Sequence, residues 1–145
     1  MLGSFKKAIF RVLCLYCVLI GGGGLMAEPT HEELVLLGML SYDKQDFSKA
    51  KGYFEKACDL NNGRGCNFLG FLYGSRKGVE KDLIKSAYLY SKTCELKEGD
   101  GCGALGALYY NGDGVKQDSK KAVALFEKAC KLGYKKACEM LKLLR

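Results

Sequence analysis

The sequence contains one histidine, one proline and no tryptophan among its 145 residues. A single histidine excludes zinc sites built from several histidines and argues against a catalytic triad that uses one. Charged residues make up 27% and hydrophobic residues 48%, which is typical of a globular protein of one ordinary domain. Cysteine, by contrast, is abundant: eight in a chain this short suggest a disulfide framework.

Residues 1–27 have the three parts of a secretory signal peptide. Three basic residues precede an apolar run over 12–20, glycines follow it, and Ala27 offers a small residue for cleavage. The run is too short to span a bilayer comfortably, so a cleaved signal is preferred to an uncleaved anchor. We predict cleavage after Ala27, loss of Cys14 and Cys17 with the signal, and a secreted or periplasmic product without membrane attachment.

The predicted mature chain, 28–145, carries 20 Lys and Arg against 16 Asp and Glu, which gives a net charge of +4. Acidic and basic residues alternate along it without a long basic block. This mild balance argues against a nucleic-acid partner.

The six cysteines of the mature chain recur with a period of 36 residues. They are Cys58, Cys66, Cys94, Cys102, Cys130 and Cys138. A fixed period of this length indicates a repeat architecture. We predict three helix-pair units, about 31–66, 67–102 and 103–138, followed by a C-terminal capping helix.

The first helix of each unit has apolar residues at helical spacing, as in Leu69, Leu72 and Tyr73. Gly70 and Gly106 lie beside this stripe, where a missing side chain would let the partner helix approach closely.

Asp46, Asp82 and Asp118 stand where the second helices should begin, and we predict that each caps its helix. Gly63 and Gly99 follow the second helices, and we interpret them as glycine signals at the carboxyl ends of those helices.

Cysteines eight residues apart can form a disulfide only if the chain turns between them. A continuous helix would separate them by roughly 12 Å, whereas a disulfide needs Cα atoms within about 7 Å. Six cysteines allow many pairings, but the local one is favoured because each pair flanks its own turn. The local pairs are Cys58–Cys66, Cys94–Cys102 and Cys130–Cys138. We expect no metal site, because the spacing is not C-x₂-C and an exported protein meets oxidising conditions.

The first unit has the tetratricopeptide spacing at Leu37, Gly38, Ala50, Phe54 and Ala57. The later units, with a longer Gly-Val-x-x-Asp loop, resemble Sel1-like repeats, and the paired cysteines resemble those of the Helicobacter cysteine-rich protein family. The resemblance implies an all-α fold, a right-handed α/α superhelix of Sel1-like repeats with one disulfide per repeat. It also implies penicillin binding with weak β-lactamase activity.

Two Ser-x-x-Lys matches, Ser41 to Lys44 and Ser48 to Lys51, are candidates for serine β-lactamase chemistry. The accompanying Ser-Asp-Asn and Lys-Thr-Gly motifs are missing, and so short a motif arises readily by chance in a lysine-rich chain. We therefore assign no catalytic residue and expect no cofactor. His31, beside two glutamates, is interpreted as an exposed residue at a helix start.

The alternative to an enzyme is a binding module. Stacked helix pairs form a concave surface lined by their first helices, and repeat proteins use this surface for binding. The tetratricopeptide groove positions fall on Val35, Met39, Tyr42, Asn67, Phe71, Ala107 and Tyr110. The candidate occupants are a β-lactam, a cell-wall fragment, a peptide or a host protein, and we expect the protein itself to be a monomer.

Overall fold

A computed structural model describes residue 7 and residues 27–145 of the chain. Residues 27–145 form seven helices and no strand, so the all-α prediction is confirmed. The helices are α1 (His31–Asp43), α2 (Phe47–Asp59), α3 (Gly63–Ser75), α4 (Leu83–Glu95), α5 (Gly99–Asn111), α6 (Ser119–Lys131) and α7 (Lys135–Leu144). The predicted signal peptide and its cleavage lie almost entirely outside the described residues. Within the described part, no helix is long and apolar enough to cross a membrane.

Each helix packs mainly against its neighbours in sequence, as expected of a repeat stack. Helices α1 and α2, α3 and α4, and α5 and α6 form three pairs, and α7 packs on α6. The first helices of successive pairs also touch one another, α1 with α3 and α3 with α5. The result is an α/α superhelix in which the first helices share one face.

Aspartate side chains start all three second helices, as predicted. The carboxylates of Asp46, Asp82 and Asp118 each accept a hydrogen bond from the backbone N–H three residues later, at 2.9–3.1 Å. The first helix has a different cap, in which Thr30 and Glu33 bond to each other's backbone N–H groups. These caps satisfy amides that would otherwise lack partners at the helix ends.

The interpretation of Gly63 and Gly99 as the ends of second helices is wrong. They are the first residues of α3 and α5, and the left-handed turn residues that end the preceding helices are Asn61 (φ 59°) and Lys97 (φ 63°). Gly63 and Gly99 instead lie against the turn that follows the second helix of their own pair: a Cβ atom at Gly63 would lie 2.5 Å from Glu98 Cγ, and one at Gly99 would lie 3.1 Å from the Ala129 carbonyl oxygen. Two residues further on, the first helix lies very close to the helix before it. A Cβ atom added at Gly65 would lie 2.6 Å from that of Ala57.

The predicted unit boundaries are also displaced. Alignment on the cysteines predicts that the second and third units begin at residues 67 and 103, whereas their first helices begin at Gly63 and Gly99. Cys66 and Cys102 therefore lie in the first turn of a helix and not at the end of a unit.

Three glycines in the first helices face an aromatic ring of the paired second helix. Gly38 faces Phe54, Gly70 faces Tyr90 and Gly106 faces Phe126. A Cβ atom at Gly70 or Gly106 would lie within 3.0 Å of the facing ring, so these rings require glycine. In α7, the residue 36 positions after Gly106 is Lys142, which is exposed.

Each predicted disulfide is formed. Cys58–Cys66, Cys94–Cys102 and Cys130–Cys138 have Cα separations of 4.5, 4.5 and 4.8 Å. Each bridge ties the end of a second helix to the start of the next first helix, across the turn between them. On the chain-entropy model, closing so short a loop stabilises the fold by roughly 2.5 kcal/mol.

Candidate binding groove

A cavity of about 530 Å³ opens on the face shared by the first helices. We call it the groove cavity. Its lining residues are Met39, Tyr42, Asp43, Phe54, Asn67, Phe68, Phe71, Leu72, Tyr90, Asp100, Ala104 and Tyr134. Cavities of this size with a few polar groups in an apolar lining are typical of ligand sites.

Aromatic rings make up much of the lining. The centroids of Tyr42 and Phe71 lie 6.2 Å apart, and those of Phe54 and Phe68 lie 5.0 Å apart in a stacked arrangement. Phe54 is fully buried, so it forms the floor, whereas Phe71 is 43% exposed. Such half-exposed rings can contact a ligand without any change in the fold.

Polar groups come together around Asp100. Asn67 Nδ2 donates a hydrogen bond of 2.7 Å to Asp100 Oδ2, and the backbone N–H of Gly101 donates to Oδ1 at 2.9 Å. Tyr90 and Tyr134 line the same cavity. Burial raises the pKa of Tyr90 above its ordinary value, the nearby Asp100 charge raises it further, and a hydrogen bond with Ser86 partly opposes both.

The charge of the lining has one sign. It includes two carboxylates, Asp43 and Asp100, and none of its residues is lysine, arginine or histidine. This arrangement suits a ligand with a positive group and apolar parts, and it opposes a ligand with a negative group.

Four of the seven predicted groove residues line the cavity: Met39, Tyr42, Asn67 and Phe71. The prediction of Val35 as a groove residue is wrong. Its side chain is 3% exposed and belongs to a small core cluster with Leu34 and Ala57, so no ligand can reach it.

Ala107 and Tyr110 also lie outside the lining, although both are exposed. At α5 the cavity is lined instead by Asp100 and Ala104, about one helical turn or more before the predicted positions. The backbone carbonyl of Tyr110 accepts a hydrogen bond from the Gln117 side chain, which places it at the loop end of α5.

The sequence reasoning missed Tyr90 and Tyr134, which come from a second helix and from the turn before α7. A signal for Tyr134 exists at Gly103, where the two earlier units carry Val35 and Asn67. A Cβ atom at Gly103 would lie 2.6 Å from the Tyr134 ring, so the glycine makes room for the tyrosine.

Neither Ser-x-x-Lys match forms a nucleophile with a base. Ser41 is buried, and its hydroxyl donates to the Leu37 carbonyl in its own helix at 2.8 Å. Ser48 is exposed and lines a surface cleft with Lys51. Lys51 Nζ lies 2.8 Å from Glu55 Oε1, and this bond raises the pKa of Lys51 above its ordinary value. A lysine paired with a carboxylate in this way is poorly suited to act as the general base for a serine.

His31 begins α1, as predicted, and its side chain is half-exposed. Its Nδ1 lies 2.8 Å from Nδ2 of Asn62, the residue that caps α3 by accepting from the Gly65 N–H. Because an amide nitrogen only donates, Nδ1 is the acceptor in this bond. Among the described residues there is no group of three or more His, Cys, Asp or Glu that could hold a metal ion.

Comparison with known proteins agrees with this architecture. The family model "Sel1 repeat" matches residues 36–62, 63–98 and 99–134, which correspond to the three helix pairs. Together with its disulfides and the relatives below, this match shows that the chain belongs to the Sel1 repeat family and, within it, to the Helicobacter cysteine-rich proteins.

Three Helicobacter pylori proteins illustrate the relationship. "Beta-lactamase HcpA" is 58% identical over 83 residues, which cover 57% of this chain and 32% of that protein. HcpC is 57% identical over 83 residues, 57% of this chain and 28% of that protein. The solved structure of cysteine rich protein B is 38% identical, with a TM-score of 0.64, over 82% of this chain and all of that one. The chain thus spans about a third of the length of the curated relatives it matches.

Proposed function

We propose that this protein is a non-catalytic, disulfide-stapled repeat module that binds an extended peptide segment of a partner protein in the groove cavity. The observation that carries the proposal is the cavity itself, which combines exposed aromatic rings with a few fixed polar groups. Helical repeat proteins commonly use their concave face in this way.

The peptide is favoured over a small rigid ligand by the way the lining is distributed. Its residues come from α1 to α5 and from the turn before α7, so the cavity runs across all the helix pairs. An extended segment can contact several units at once, whereas a compact ligand would use only one part of the lining. We expect the protein to bind its partner as a monomer.

The test is a peptide library screened against the purified mature chain, followed by titration calorimetry of the best binder. Phe71→Ala should weaken binding by about tenfold or more, because central aromatic residues dominate such interfaces. Tyr88→Ala is the matched control: Tyr88 is 68% exposed on α4 and does not line the groove cavity. Equal losses in both variants would contradict the proposed site.

A second candidate is β-lactam binding with weak hydrolysis. It is favoured by the name of a relative that is 58% identical over 83 residues. The groove cavity gives it little support, because penicillins carry a carboxylate and the lining supplies two carboxylates and no cationic side chain.

Hydrolysis of a chromogenic cephalosporin by the purified chain tests this candidate. If turnover is found, Ser41→Ala and Ser48→Ala should leave it nearly unchanged, because neither serine has a base in contact. A thousandfold loss in either variant, with the fold intact, would identify that serine as the nucleophile.

We also propose that the protein is exported and cleaved after Ala27. Three disulfides support an oxidising compartment outside the cytoplasm. Mass spectrometry of the amino terminus in periplasmic and culture-medium fractions tests the cleavage. A mature chain that begins at residue 28 supports it, and an intact Met1 contradicts it.

A further inference from the structure

We infer that the groove cavity selects a peptide by a cationic side chain, arginine or lysine, whose charged group lies against Asp100 while the flanking apolar residues contact Phe71 and Tyr42. The inference rests on the proposed function and deepens it by naming the chemistry of the bound segment.

The local charge of the groove cavity is opposite in sign to the net charge of the protein. The predicted mature chain carries a net charge of +4, yet the lining of this cavity holds two carboxylates and no cationic side chain. The negative character is therefore a property of the cavity and not of the protein as a whole. Apolar walls around a cleft of one charge sign strengthen its attraction for an opposite charge.

The Asp100 carboxylate is held in place but not neutralised. Its two partners, the Asn67 side chain and the Gly101 N–H, are uncharged donors that use one hydrogen bond on each carboxylate oxygen. Each oxygen can accept a further bond, so a guanidinium group could still bind both oxygens. Asn67 acts here as a positioning residue that orients the carboxylate.

The aromatic rings of the groove cavity can also attract a cation. Elsewhere in the molecule, lysines of this chain lie over aromatic rings: Lys85 lies 4.5 Å from the centre of Tyr73, and Lys121 lies 4.3 Å from that of Tyr109. No such pair involves an aromatic residue of the groove cavity in the described part of the chain. The ring faces of the cavity thus remain available to a cation brought by a ligand.

The test uses the peptide library and then one defined pair of peptides. The library should be enriched in arginine or lysine at one position. The pair is acetyl-Ala-Leu-Arg-Leu-Ala-amide and the same peptide with citrulline, which has the shape of arginine without its charge. The arginine peptide should bind about tenfold more tightly in titration calorimetry, and the difference should shrink as salt is added.

Asp100→Asn should remove most of the difference between the two peptides, and Asp59→Asn, which changes an exposed carboxylate outside the cavity, should preserve it. If Asp100→Asn does not fold, the two peptides on the unmodified chain decide the matter. Equal binding of both peptides, weakened by Phe71→Ala, overturns the inference and leaves the proposed function standing. A library without binders overturns both.

Discussion

Residues 28–115 carry 11 basic and 13 acidic residues, whereas residues 116–145, which include α6 and α7, carry nine basic and three acidic ones. The staples differ between these regions as well. The four cysteines of Cys58–Cys66 and Cys94–Cys102 are at most 4% exposed, but Cys130 and Cys138 are only partly buried. Both regions nevertheless start their second helices with the same aspartate cap, and the third glycine–aromatic contact, Gly106 with Phe126, joins one region to the other. The comparison shows that the repeat specifies the contacts between helices and leaves the outward surface free to differ.

The largest effects should come from removing equivalent core rings in the two regions. Phe54 and Phe126 occupy the same repeat position, and both are almost completely buried. Phe54→Ala and Phe126→Ala should each lower the free energy of unfolding by about 3–5 kcal/mol in urea titrations. Only Phe54→Ala should also weaken peptide binding, because Phe54 is the floor of the groove cavity and Phe126 is not part of the lining. Equal binding losses would mean that binding reports only global stability.

Removal of a disulfide should have the next largest effect on stability. Replacing Cys94 and Cys102 by serine should cost about 2–4 kcal/mol, because the bridge lies between two complete helix pairs. Replacing Cys130 and Cys138 should cost about 1–2 kcal/mol, because α7 is the one described helix beyond that bridge and has its main contacts with α6 alone. Thermal melts of both double variants measure this. Peptide binding should fall in both, since the first bridge holds Asp100 and the second closes the turn that carries Tyr134.

The order of reduction should separate the two regions without any mutation. Under native conditions a mild reductant should open Cys130–Cys138 first, because these two cysteines are only partly buried and the other four are at most 4% exposed. Timed alkylation and peptide mass spectrometry would follow each pair. Loss of Cys58–Cys66 before Cys130–Cys138 would contradict the difference in burial.

The smallest effect concerns Tyr90. The folded state raises the pKa of Tyr90 above the ordinary value of 10.0, so the phenol of the unfolded chain loses its proton first. The free energy of unfolding therefore falls as the pH rises above about 10. Tyr90→Phe should reduce the loss of stability on that alkaline side and leave stability near pH 7 almost unchanged. Urea unfolding at several pH values measures both. Tyr88→Phe, at an exposed position, is the control.

The sequence was sufficient for the fold because its signals repeat in register. Six cysteines at a period of 36 and three capping aspartates each mark the same places three times, and local chemistry alone is enough to interpret them. Gly63 and Gly99 misled the prediction because a glycine that begins a tightly packed helix looks, in sequence, like a glycine that ends the helix before it. Only the three-dimensional contact distinguishes the two uses.

The groove was predicted less completely for the same reason. Met39, Tyr42, Asn67 and Phe71 follow from the resemblance to tetratricopeptide groove positions. Val35, at another of those positions, packs in the core with Ala57, and Tyr134 enters from the turn before α7. Which neighbour fills a given space depends on the sizes of residues distant in sequence. At Gly103, for example, the absence of a side chain leaves space for the ring of Tyr134, which is distant in sequence.

The glycine–aromatic contacts have a consequence for anyone who wishes to lengthen this array by protein engineering. A second helix joined to α7 in the manner of the other pairs would bring an aromatic ring to the position of Lys142, where the other first helices have glycine. The long lysine side chain would occupy the space intended for the ring. Grafting a further helix pair should therefore require Lys142→Gly. The residue at this single position determines whether another helix can pack on α7.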